Sequence, residues 1–211
     1  MDCGFCAEFA RPGGGDRIIT QDGEWVLLPT LGCFVAGYCL LLPIDHLQAA
    51  ADLPTDALEA LEARIEHLRR QIAGQFGPTI VAEHGPGACD LGASCCTHAH
   101  LHLIPIHDID AVTDAYRQTG GAPRVLEGLA GLHALAGRPY LYLSPEPGTH
   151  LAWPAAAFPR QFVRRVCAAI LGIPDRYDWR DHPFEATMRT TLLRLRTTFQ
   201  PQLAPAPSSS A

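Results

Sequence analysis

Three histidines set the chemistry this chain can do. His98, His100 and His102 alternate with Ala99 and Leu101, and Leu103, Ile104 and Pro105 close the run. In an extended strand every second side chain points the same way, so the three imidazoles are expected on one face, neighbours about 6.6 Å apart. Ala99, Leu101 and Leu103 then face a core. At that spacing one ring can bind a metal while the next attacks a substrate. An imidazole nucleophile suits phosphorus, where it forms a phosphoramidate that later yields to water or another acceptor. The attacking nitrogen must be unprotonated, so the other ring nitrogen should donate a hydrogen bond that fixes the tautomer. Just upstream, Ser94, Cys95 and the amides of Gly92 and Ala93 can offer donors to phosphate oxygens.

A second constellation opens the chain. Cys3 and Cys6 form a C-x-x-C pair, two thiolates spaced to grip one tetrahedral ion. No thioredoxin-like βαβ pattern follows, which turns the reading from redox chemistry to metal. Two further ligands are needed. His46 and His98 are the candidates, with His84, Cys89, Cys95 and Cys96 as rivals. A closed Cys2His2 set would be structural, without an open position for substrate, and would tie down the first residues. Cys33, Cys39 and Cys167 lie in apolar segments and read as inert core thiols.

The elements that must position these groups follow from periodicity. Of 211 residues, 16 are Lys or Arg and 22 Asp or Glu, a net charge of −6, which gives no broad footprint for a nucleic acid polymer. No window approaches a membrane-spanning length and no leader pattern is visible, so the cytosol is the expected compartment. Residues 1–16, with Pro12 and three consecutive glycines, are expected to be irregular. Strands are expected at 17–20, 24–28, 33–42, 79–83 and 97–105. A helix at 55–73 carries Leu58, Leu61, Ile65, Leu68 and Ile72 on one side, with Gly74 as its stop. A Gly-rich loop over 83–94 delivers the chain to the histidines. Beyond Pro105, helices are expected at 108–116, 123–135, 159–171 and 185–199, with a strand pair at 139–143 and 150–153. The last ten residues read as disordered. The class is α+β with an antiparallel sheet, because strands and helices do not alternate as βαβ units. Arg160, Arg164, Arg165, Arg176 and Arg180 collect near Trp179; most read as solvated, with Arg160 or Arg180 the candidates to reach a phosphate.

Three pieces in order, Cys3-Gly-Phe-Cys6, Gly37-Tyr-Cys-Leu-Leu-Leu-Pro-Ile-Asp-His46 and His98-Ala-His-Leu-His-Leu-Ile-Pro105, resemble the histidine-triad (HIT) family over about half the chain. The resemblance implies a HIT-like antiparallel five-stranded sheet with a helix over residues 1–107. Residues 108–200 would then be a mainly helical extension and 201–211 a tail. It implies nucleotidyl hydrolase or transferase activity on a small-molecule nucleotide or phosphate conjugate, a structural Zn2+, and a homodimer. It makes His100 the nucleophile and His102 its helper at the phosphate, and it matches Cys3, Cys6, His46 and His98 to the metal ligands. The sequence departs from the family pattern at three places: Ser94 stands for a usual Gln, Thr30 for an acidic residue that holds a ribose, and Tyr38 for a histidine. The chemistry is therefore better specified than the substrate.

Overall fold

The computed structural model describes residues 3–11, 16–86 and 98–199. In chain order these form helix α1 (Gly4–Phe9), strands β1 (Thr20–Gln21), β2 (Trp25–Pro29) and β3 (Cys39–Pro43), helix α2 (Thr55–Phe76), and strands β4 (Thr79–His84) and β5 (Leu101–Pro105). There follow helix α3 (Ile109–Gly120), strands β6 (Arg124–Val125), β7 (Tyr140–Ser144) and β8 (Leu151–Pro154), and helices α4 (Phe162–Ile170) and α5 (Glu185–Phe199). The class is α+β. All the described strands join one antiparallel sheet in the order β1-β2-β3-β5-β4-β7-β8-β6. The first five lie side by side, as the five-stranded expectation requires. The C-terminal segment contributes three further strands that continue the sheet beyond β4: β7 and β8 are the expected strand pair, and β6 takes the start of the expected helix over 123–135.

Alternation divides the sheet into two buried faces. Leu27, Leu41, Val81, Leu101 and Leu103 pack on α2 through Leu58, Leu61, Ile65, Leu68 and Ile72. Each such side chain contributes roughly 1.5–3 kcal/mol by leaving water. Val26, Leu28, Leu40, Ala82 and Ile104 face the other way, under Val112 and Tyr116 of α3 and Phe162, Val163 and Cys167 of α4. Residues directly opposite in an antiparallel pair share a face. His102 lies opposite both Leu40 and Ala82, and therefore on the face covered by the C-terminal segment.

Several boundaries differ from expectation, each for a physical reason. Residues 1–16 include a short helix, α1, because its first turn is pinned by side chains described below. Residues 33–38 turn rather than extend, with Tyr38 N–H on the Val35 carbonyl at 3.2 Å. Gly37 there takes φ +89°, and a Cβ at that position would meet the Phe76 ring at 2.6 Å. Helix α2 runs through Gly74 and stops only at Gly77, whose φ of +100° few other residues adopt. The expected helix over 123–135 is instead β6 followed by a 3-10 stretch, Leu129–Leu135, with Gly128 before it and Gly131 within it lowering the propensity for an α-helix there. Helix α4 starts at Phe162, after Gln161 in the left-handed region. The triad strand begins only at Leu101.

Candidate functional site

The N-terminal cysteines meet two histidines from distant parts of the chain. Cys3 and Cys6 flank the first turn of α1, where residues three apart share one side. Cys3 Sγ lies 3.4 Å from His98 Nδ1, Cys6 Sγ 3.5 Å from the same nitrogen, and Cys6 Sγ 3.4 Å from His46 Nδ1. The four ligand atoms all fall within 4.8 Å of one another. A tetrahedral ion with metal–sulfur bonds of about 2.3 Å and metal–nitrogen bonds of about 2.0–2.1 Å sets sulfur and nitrogen about 3.5 Å apart. The donor set fits zinc on a second count. His98 Nε2–H donates to the Pro43 carbonyl at 2.8 Å, which turns the Nδ1 lone pair towards both sulfurs. Partial burial and the neighbouring Cys3 also raise the Cys6 thiol, a cost that a bound cation relieves. Phe5 and Phe9 pack edge-on against the His98 ring, with centroids at 5.8 and 5.9 Å.

The histidine row follows. His98 and His100 precede β5 and His102 lies within it. The strand is shortened because Ala99 N–H pairs with the Leu47 carbonyl at 2.7 Å while His98 is drawn to Pro43 and the cysteines. All three rings are nonetheless buried, and those of His100 and His102 meet edge to face at 4.8 Å. His100 Nδ1–H donates to the His98 carbonyl at 2.8 Å, which makes Nε2 the unprotonated nitrogen. His102 Nδ1 is 2.7 Å from the Tyr38 hydroxyl, and its buried Nε2 has no partner among the described residues. Burial, with the neighbouring His100, His84 and Arg164, holds His102 well below the usual imidazole range.

Sequence reasoning missed the groups behind this row. His84, a rival metal ligand by type, has its ring centroid 5.6 Å from that of His102 instead and accepts from Val163 N–H of α4 at 3.4 Å. Burial, then the nearby charges, pulls His84 down to about 3. Arg164 was grouped with the solvated arginines but is 3% exposed. Its Nη2 donates to the Gly32 carbonyl and its Nε to that of Tyr177, each at 2.7 Å. Glu83 is also buried, accepting from the Tyr140 hydroxyl at 2.5 Å and Ala50 N–H at 2.8 Å. The one available signal was periodicity: both His84 and His102 fall on apolar-face positions of their strands.

Other expectations fare differently. Ser94 and Cys95, together with Cys89 and Cys96, lie outside the described residues. Thr30 is buried and its hydroxyl donates to the Leu31 carbonyl, so it is committed locally. Arg160 and Arg180 are exposed, with Arg180 stacked on Trp179. A groove of about 460 Å3 between β2, the end of β3 and the start of α2 includes Trp25, Asp45 and Arg64 but none of the three histidines.

No family model matches the chain. It is similar to CWF19-like protein 1 of Homo sapiens, at 27% identity over 94% of this chain and 38% of that protein, and to its counterpart in Xenopus laevis, at 27% over 85% and 34%. Zinc finger CCCH domain-containing protein 64 of Arabidopsis thaliana matches at 27% over 85% of this chain and 32% of its own. The chain thus spans about a third of the length of the curated relatives it matches. Among solved structures it is similar to a Zn-bound histidine triad family protein of Mycobacterium smegmatis, at 21% identity and a TM-score of 0.43 over 51% of this chain and 77% of that one. A HIT family hydrolase of Legionella pneumophila gives 18% and 0.41 over 51% and 96%.

Proposed function

We propose that this chain is a histidine-triad nucleotide hydrolase acting at a phosphorus of a nucleotidyl conjugate, such as a phosphoramidate or a dinucleoside polyphosphate. The observation that carries the reading is the His100 Nδ1–H bond to the His98 carbonyl, which presents Nε2 as the nucleophilic nitrogen. The Nε2 lone pair attacks phosphorus, the bond to the leaving group breaks, and the leaving group departs with a proton from solvent or a donor in the cleft. Water then attacks the same phosphorus, the P–N bond breaks, and the imidazole is restored with release of a proton. His102, neutral and buried, supports the phosphoryl oxygens, and Ser94 and Cys95 are proposed to line the same cleft. Cys3, Cys6, His46 and His98 would hold a Zn2+, which when bound supplies a rigid closed tetrahedral joint and no open position. Its contribution is to fix the His98 carbonyl that in turn fixes His100. A nucleotidyltransferase differs only in the acceptor of the second step.

The test is turnover of a panel of nucleotidyl conjugates by zinc-loaded protein, with acid quench to trap a covalent adduct. The parent should form an acid-labile nucleotidyl adduct, and His100→Asn should lose about 10^3-fold or more in rate together with the adduct. Equal rates in parent and variant would overturn the nucleophile. Tight nucleotide binding without turnover in either would favour a zinc-stabilised binding module.

A further inference from the structure

The C-terminal segment reaches the histidine row at one point, and the groups it brings have an order. The Tyr38 hydroxyl is 2.7 Å from His102 Nδ1. The Arg164 guanidinium carbon lies 5.3 Å from the Tyr38 ring centroid and 5.1 Å from that of Phe34. Among the described residues no carboxylate pairs with this buried arginine. Its charge acts on the groups around it, the phenol, His102 and Asp178 among them. A cation beside a phenol attracts the negative oxygen end and turns the hydroxyl proton away, which leaves that proton for the hydroxyl's hydrogen-bond partner, His102 Nδ1. Burial keeps Tyr38 protonated, so it has that proton to give. An imidazole that accepts at Nδ1 carries its own proton at Nε2. That Nε2 is the buried atom left without a partner among the described residues, beside the His100 ring.

We infer that Arg164, Tyr38 and His102 form a relay in which the C-terminal segment fixes the tautomer of the third triad histidine, so that Nε2–H donates to an anionic phosphoryl oxygen of the substrate. Tyr38 and Arg164 are positioning residues; neither touches the reacting atoms. Val163 at the start of α4 occupies His84 Nε2 and so keeps that ring from competing for the His102 proton. The inference rests on the hydrolase reading above for its substrate, but its tautomer content does not depend on any substrate.

Two readouts separate the relay from that reading. In the zinc-loaded chain with 15N-labelled histidine, two-bond 1H–15N spectra report which nitrogen of His102 carries the proton, with assignment by loss of the signal in His102→Gln. The parent should show a single Nε2-protonated tautomer. Tyr38→Phe should shift it to a mixture, and Arg164→Lys, which keeps the charge but not the planar fork, should shift it less. Unchanged melting of the Tyr38→Phe protein establishes that the fold is retained. On a conjugate that the parent turns over, Tyr38→Phe should lower kcat roughly tenfold, one buried hydrogen bond, with KM nearly constant. An Nδ1-protonated His102 in the parent, or an unchanged tautomer in Tyr38→Phe, would overturn the relay. The expected tautomers in a protein that turns over no conjugate would leave the relay standing and refute the hydrolase.

Discussion

At the scale of single residues, the histidines are separated by what each ring nitrogen already holds. His98 spends both, on Pro43 and on the cysteine pair, whereas His100 spends Nδ1 on a carbonyl and His102 spends Nδ1 on a phenol. The types and spacing of these residues were legible in the sequence; their division of labour was not, because Pro43 and Tyr38 are 55 and 64 positions away. Arg164 was illegible for a related reason. On a helix with its own apolar stripe an arginine reads as solvated, and only the packing of residues 32–38 against it buries the guanidinium. His84 gives a pH test. Its folded value near 3 lies below the ordinary 6.5, so the fold excludes a proton that the unfolded chain accepts. The resulting stability is fully present above about 6.5 and is lost as pH falls from there towards 3, at up to about 1.4 kcal/mol per pH unit. His84→Gln retains an acceptor for Val163 N–H and should lose less stability than the parent between pH 7.5 and 5. Urea midpoints of zinc-loaded protein at the two values check this, and equal losses would count against it.

Among elements, α2 and α5 were readable because their apolar positions repeat on one side over three to four turns. Helix α1 was not, since six residues without a buried side chain cannot hold themselves helical in water. Its anchors are remote or ionic: the cysteines on His46 and His98, the two phenylalanines on the His98 ring, and the Glu8 carboxylate accepting from Arg17 at 3.0 and 2.5 Å. Treating zinc-loaded protein with a strong chelator should therefore raise amide exchange across residues 4–10 by about tenfold or more while α2 is little changed. Exchange unaffected by the chelator would show that the aromatic and ionic anchors suffice. The segment 123–135 failed as a helix because Gly128 and Gly131 leave its propensity low. The Leu129 amide is claimed by Glu62 of α2 at 2.6 Å.

Over the whole molecule, the edge of the five-stranded portion at β4 is occupied by β7 of the same chain, and the two outer strands, β1 and β6, are two residues long. Short outer strands offer little for another copy to pair with. The homodimer implied by family resemblance thus has no long free strand in the described sheet to build on, and light scattering at micromolar concentration should give the mass of one chain. A mass of two chains would overturn this. The sheet order also bears on how the chain is made. Cys3 leaves the ribosome 95 residues ahead of His98, an interval of roughly 5–20 s at about 5–20 residues per second. Strand β4 then waits for β7. During synthesis the two thiols are thus the earliest parts of the site to emerge and among the last to find their partners, so their exposure to oxidants is set by the rate of translation.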